Sequence, residues 1–128
     1  MSINGWTTDD LRRIGGSTEL RLASSRKDGT LRRYIIMWTV AAGDSVYVRS
    51  AHGPDNPWFR RAVASGHGRI RAGGVERDID FVRLAADDPA HTDIDAAYHA
   101  KYDHYGRLVD TVTGASASHT TLRLDPRD

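Results

Sequence analysis

The stretch 32–42, Arg-Arg-Tyr-Ile-Ile-Met-Trp-Thr-Val-Ala-Ala, constrains the chain more than any other. Two-residue alternation puts Tyr34, Ile36, Trp38 and Val40 on one face and Ile35 and Met37 on the other. A strand that is apolar on both faces must be covered on both. One face therefore meets a core. The other meets a helix, a second subunit or a ligand. The same period recurs at 19–25, 45–50, 68–72, 75–84 and 120–124. Asp28-Gly29 and Gly73-Gly74 supply hairpin turns.

Helical signals interleave with these strands. Thr7-Thr8-Asp9-Asp10 caps a short helix that Gly15-Gly16 ends, and Asn56-Pro57 opens a second that Gly66 ends. A third is expected over 93–107, with Ile94, Ala97, Tyr98, Lys101, Tyr102 and Tyr105 at helical spacing. The segment 114–118 reads as a loop. The order is helix, three strands, helix, two strands, helix, strand. It predicts a mainly β (α+β) chain, a small six-stranded split β-barrel with flanking helices, as one domain over 1–128.

Composition removes several chemistries. The chain has no cysteine, which excludes disulfides, thiolate metal sites and a cysteine nucleophile. No apolar run approaches about 18 residues, the first residues carry no basic–apolar leader pattern, and no Gly-x-Ser-x-Gly elbow occurs. A cytoplasmic protein is expected, with no membrane partner. The net charge of +1 hides an asymmetry: residues 12–83 hold 14 Lys/Arg against 7 Asp/Glu, and the remainder 4 against 10. Sixteen of the 18 basic residues are Arg, which suits two-pronged recognition of phosphate or carboxylate. The acidic final third would repel a long polyanion, so no nucleic-acid partner is expected.

The densest candidate site is 48–61, where a strand ends in Arg49-Ser50, a Gly/Pro loop follows, and a capped helix begins with Trp58-Phe59-Arg60-Arg61. Arginine, a hydroxyl and free helix N–H groups are what a phosphate needs, and Trp58 adds a flat apolar surface. The competing reading makes Trp58 and Phe59 core anchors and gives the arginines to carboxylates. His52 lies in the same loop, with a pKa range suited to acid–base work. Asp95, His99 and Asp103 share one helix face but have no further histidine at ligand spacing, so they read as a solvated face and no metal is expected.

The pattern strand–Arg-Ser–Gly-Pro–Asn-Pro-Trp-Phe-Arg-Arg–Gly-Arg-Ile-Arg-Ala-Gly-Gly-Val-Glu resembles the flavin- and deazaflavin-binding split β-barrel (nitroreductase-like) proteins. It resembles more closely the bacterial family known as domain of unknown function 2255, through the Trp-Phe-Arg-Arg helix and Tyr98-His99-Ala100-Lys101-Tyr102. The likeness spans roughly residues 18–105. It implies a small oxidoreductase acting on an organic molecule, with flavin mononucleotide or a deazaflavin as cofactor, and a homodimer with the pocket between subunits. Arg49-Ser50-Ala51-His52-Gly53 stands where the deazaflavin relatives often have Ser-Lys-Gly-Gly.

The expected cofactor contacts are Arg49, Ser50, Trp58 and Arg61, then Arg33, Trp38 and Lys101, with His52 as the acid–base group. The alternatives are a cofactor-free enzyme of small-molecule metabolism using the same pocket, and a non-catalytic small-ligand binding protein.

Overall fold

The computed structural model describes residues 5–51 and 53–127. Seven strands, β1 (Leu20–Ser24), β2 (Ile35–Met37), β3 (Val40–Ala42), β4 (Ser45–Arg49), β5 (His67–Ala72), β6 (Val75–Arg83) and β7 (Thr121–Pro126), form one sheet. Its order is β2-β1-β5-β6-β7-β4-β3, with every neighbouring pair antiparallel.

The topology dictates the curl. β2 and β3 are the two sheet edges, yet only Trp38 and Thr39 separate them in the chain. Flat strands about 4.8 Å apart would hold those edges roughly 29 Å from each other. The three Cα steps from Met37 to Val40 reach only about 11 Å. The sheet therefore curls into a half-barrel, an α+β fold with flanking helices.

This corrects the expectation of six strands. The run 32–42 is two short strands broken at Trp38-Thr39, because one straight strand cannot pair with both β1 and β4. The break also ends the regular alternation: Val40 is buried, Trp38 half-buried and Ile36 exposed.

Two apolar clusters sit on the two faces of the sheet. The inner one joins Trp6, Ile14, Leu20, Leu22, Val46, Val48, Phe59, Ile70, Ile79, Leu122 and Leu124. Trp6, not anticipated as core, donates its indole N–H to Leu124 O at 2.8 Å. The outer one joins Val40, Tyr47, Leu84, Ile94, Tyr98, Tyr102, Val109 and Val112. All five residues of β4 are buried because that strand lies between the clusters.

The first two helices lie where their sequence signals place them. In α1 (Thr8–Gly15) the Thr7 hydroxyl accepts from Asp10 N at 3.0 Å. In α2 (Pro57–Ser65) Asn56 holds the N-cap position with extended backbone, but its side chain makes no capping hydrogen bond; Gly66 ends the helix at φ 76°. Gly73 and Gly74, both at positive φ, turn β5 into β6 as their dipeptide predicts. A Cβ on Gly73 would also lie 2.2 Å from Arg13 O, so the end of α1 packs onto this turn.

The third helix needs correction. α3 runs Ala90–Tyr102, and a 3-10 segment, Asp103–Val112, continues the chain. Tyr105 therefore falls in the 3-10 segment, which Gly106, at φ 70° and ψ −135°, interrupts. The expected loop after it contains one helical turn, α4 (Ala115–Ser118). No helix among the described residues is long and apolar enough to cross a membrane.

Candidate ligand-binding cleft

α2 starts where the chain leaves β4 and its loop, and it packs on the inner cluster through Phe59 and Ala62. Those residues are three apart, on one side of the helix. That anchoring leaves Pro57, Trp58 and Arg61 facing a cleft of about 520 Å³. The opposite wall is Ile35, Met37 and Trp38 of β2 and the corner after it, and Leu108, Thr111 and Val112 of the 3-10 segment close one side. The volume lies in the usual range for small-molecule sites, about 300–1,000 Å³.

The two indoles are held by aromatic neighbours. Trp58 meets the buried Phe59 edge-on, with centroids 5.8 Å apart and planes at 90°. Trp38 stacks on Tyr102 and leans on Tyr105, whose centroid is 5.2 Å away. Arg61 is exposed and forms no ion pair among the described residues. Pro57 and Arg61 also border a second, basic hollow beyond the first turn of α2. A flat ring carrying an anionic group suits the cleft: apolar walls to cover the ring, and one free guanidinium for the charge.

Of the residues singled out from the sequence, the structure brings Trp38, Trp58, Arg61 and Arg49 to this cleft. Arg49, however, spends its donors inside the protein. Alternation in β4 puts it on the same face as Tyr47, under α3. There Nε donates to Thr121 Oγ1 at 2.8 Å, and Nη1 donates to Val112 O at 2.8 Å and to Asp95. Nη2 lies 3.0 Å from His91 Nδ1, and the guanidinium carbon sits 5.7 Å from the Tyr98 ring centroid. His91, Asp95 and Tyr98 are i, i+4 and i+7, one stripe of α3.

Ser50 is buried and donates to Gly53 O at 2.6 Å, holding its own loop. Arg33 is exposed and borders neither hollow. Lys101 lies on another side, against Val40, Ala41 and Gly15. Its Nζ donates to Thr39 O at 2.7 Å, and burial lowers its pKa to about 8. His52 lies outside the described residues. His99 is paired with Asp103 at 2.8 Å, which raises its pKa, and Asp95 belongs to Arg49.

The reading by residue type missed Met37, Leu108 and Thr111. The last two come from a segment with no regular period, so no sequence signal pointed to them. Met37 sat on the recognised strand 32–42, but only the break after it turns that strand's end toward α2.

Fold and cleft together define a small curled-sheet protein with an aromatic cleft next to unpaired arginine. The chain belongs to a bacterial family described as an uncharacterized protein conserved in bacteria, DUF2255, whose sequence profile matches residues 10–124. No curated protein sequence matches the chain. Among solved structures it is similar to an FAD-binding protein from Mesorhizobium loti, with TM-score 0.59, 14% identity, and coverage of 96% of this chain and 91% of that one. A conserved hypothetical protein from Mycobacterium tuberculosis gives TM-score 0.62 and 13% identity, covering 96% and 81%. An F420 reductase gives TM-score 0.53 and 14% identity, covering 91% and 92%. These likenesses establish the shared fold.

Proposed function

We propose that the protein is a small oxidoreductase that holds a flavin or deazaflavin in the cleft between β2 and α2. The observation that carries this reading is one cleft combining two indoles, Trp38 and Trp58, with the ion-pair-free Arg61. Solved proteins of the same fold named as FAD-binding and as an F420 reductase support it. Bound there, the cofactor supplies hydride transfer to or from a small organic substrate. The chain's part is to cover the ring with Trp38, Trp58, Met37 and Val112, exclude water from its face, and orient it through Arg61.

The mouth of the cleft exposes Ile36 and Leu108, at 55% and 58%. A second copy of the chain, seated over them, completes the cover of the ring in this reading.

Titration with flavin mononucleotide, flavin adenine dinucleotide and a deazaflavin tests the proposal through absorbance shifts and thermal stability. A ligand at 100 times its dissociation constant raises stability by about 2.7 kcal/mol. Trp58→Ala should weaken the bound cofactor roughly 5- to 150-fold, since an aromatic stacking contact contributes about 1–3 kcal/mol. Absence of a response to all three cofactors would overturn the reading.

A further inference from the structure

The hollow on the far side of Arg61 has about 600 Å³ and an unusual charge balance. Its helical wall is Pro57, Arg60, Arg61 and Ala64, spaced i, i+3, i+4 and i+7, a single stripe of α2. Facing it are Arg26, Lys27 and Arg32 from the connection between β1 and β2. Among the described residues no carboxylate lines the space.

Several arginines elsewhere on the surface come with their own acids. Arg69 and Arg71 on β5 flank Glu76 and Asp78 across the hairpin, and Arg12 and Arg123 each hold an aspartate. Arg26, Arg32, Arg60 and Arg61 form no ion pair among the described residues. Arg26 binds only its own loop, donating to Leu31 O at 2.8 Å. The Nε of Arg32 is shielded from solvent and has no hydrogen-bond partner. A concave wall of one sign focuses its field into the hollow, and an anion seated there relieves the repulsion among these cations.

The floor is polar and built. Ser25 is buried, and its Oγ lies 2.9 Å from His67 Nδ1. The hydroxyl of Ser65 donates to His67 O at 3.0 Å and fixes the start of β5. The turn that carries Arg26 and Lys27 is fixed too. Asp28 accepts from Thr30 N at 3.0 Å and from its hydroxyl at 2.7 Å, and Ser25 pairs with Leu31 across the turn. The cations are thus presented by ordered backbone.

We propose that this hollow binds a phosphate or diphosphate group of an organic ligand, gripped by Arg32, Arg60 and Arg61. Such a group has two sources: the tail of a cofactor in the adjoining cleft, reached past the shared wall of Pro57 and Arg61, or a separate phosphate ester. The anion site itself does not rest on the flavin reading.

Pyrophosphate is the probe, titrated calorimetrically into the full chain at low salt. Saturable binding is expected, weakening as salt is raised. Arg60→Gln, on an exposed helix face, should weaken it roughly 10- to 100-fold, the equivalent of one or two charge-assisted hydrogen bonds. Arg32→Gln should do the same, and Arg107→Gln, outside the hollow, should change nothing. Lack of saturable binding, or equal affinities for wild type and folded Arg60→Gln, would overturn the site.

Riboflavin, flavin mononucleotide and flavin adenine dinucleotide are then added to the pyrophosphate-loaded protein. Displacement by the phosphorylated flavins but not by riboflavin supports the site and assigns it to a cofactor tail. Independent binding supports it and assigns it to a separate ester. Pyrophosphate binding without any flavin binding supports the site while removing the cofactor reading.

Discussion

The Trp38 indole lies flat on the Tyr102 ring, with centroids 4.1 Å apart and planes 8° from parallel. This stack covers the two-residue corner at which the sheet turns from one edge to the other. The Tyr102 hydroxyl accepts from Thr39 N at 3.1 Å and donates to Thr18 O at 2.7 Å. Lys101 Nζ reaches Thr39 O, so the end of α3 supplies the corner with the backbone partners that a sheet would otherwise give it. Tyr102, which braces the corner of the half-barrel, thus also fixes one wall of the cleft.

Tyr102→Phe keeps the stack and removes the hydroxyl, leaving the buried Thr39 N–H without its acceptor. An unsatisfied buried donor costs about 1–3 kcal/mol, so Tyr102→Phe should lower stability by that amount in urea unfolding. Tyr102→Ala should cost about 3–5 kcal/mol, the range for large buried aromatics. A loss under about 0.5 kcal/mol for Tyr102→Phe, the surface range, would show that the corner does not depend on this hydroxyl.

Arg49 and Asp95 make a second, sharper expectation. The Arg49 side chain is fully buried while that of Asp95 is one-third exposed. Asp95→Ala strands a buried cation and should cost stability near the lower end of about 3–5 kcal/mol. Arg49→Ala should also destabilise, yet cofactor affinity of the folded variant should stay within about twofold of wild type, because its donors already serve Thr121, Val112 and Asp95. A tenfold loss of affinity in folded Arg49→Ala, about 1.4 kcal/mol, would return Arg49 to the ligand site.

The pH dependence of stability follows from the same cluster. Burial lowers Lys101 to about 8, below its unfolded value, so between about pH 8 and pH 10.5 the unfolded chain binds more protons and stability rises with pH. Burial raises Tyr102 to about 12 and also raises Tyr98, so above about pH 10 the unfolded tyrosines lose protons first and stability falls. Urea midpoints measured from pH 7 to 11 should therefore climb above pH 8 and turn over near pH 10. Lys101→Met should flatten the rising limb; an unchanged rise in Lys101→Met would assign it to another group.

Much of this architecture was legible in the residues. The Thr7 cap of α1, the Gly66 stop of α2, the Gly73-Gly74 hairpin and the helical spacing of Tyr98 and Tyr102 are local signals, and local backbone geometry decides them. Both tyrosines are fully buried, as their spacing implies. The break at Trp38-Thr39 was not legible, because it comes from the curling of the sheet, a constraint spread over all seven strands.

The internal partners of Arg49 were not legible for a related reason. Its position at a strand end beside a loop suggested an open site, but α3, more than 40 residues later, covers that face. The placement of Trp58 and Arg61 at the cleft follows from local signals, since Pro57 at the helix start and anchoring at Phe59 and Ala62 fix the direction of α2. The basic hollow joins a turn and a helix about 30 residues apart, and the Arg-rich composition gave its chemistry but not its place.

The exposed pair at the cleft mouth gives the last expectation. Ile36 lies on β2, an edge strand of three residues, and Leu108 lies across the cleft on the 3-10 segment. An edge strand with free backbone groups and an apolar side chain invites pairing with another chain. If a second copy covers this mouth, sedimentation at micromolar concentration gives about twice the 14.2 kDa of one chain. Ile36→Lys and Leu108→Glu should each return the protein to a monomer, since burying a single unpaired charge in an apolar contact costs several kcal/mol. Both sites are exposed in the monomer, so the fold should survive either change. Cofactor affinity should fall with the dimer, because the monomer leaves the ring partly open to water. A wild-type protein that sediments as one chain at high concentration would remove the second copy from the site, leaving Ile36 and Leu108 as exposed rim residues of a monomeric cleft.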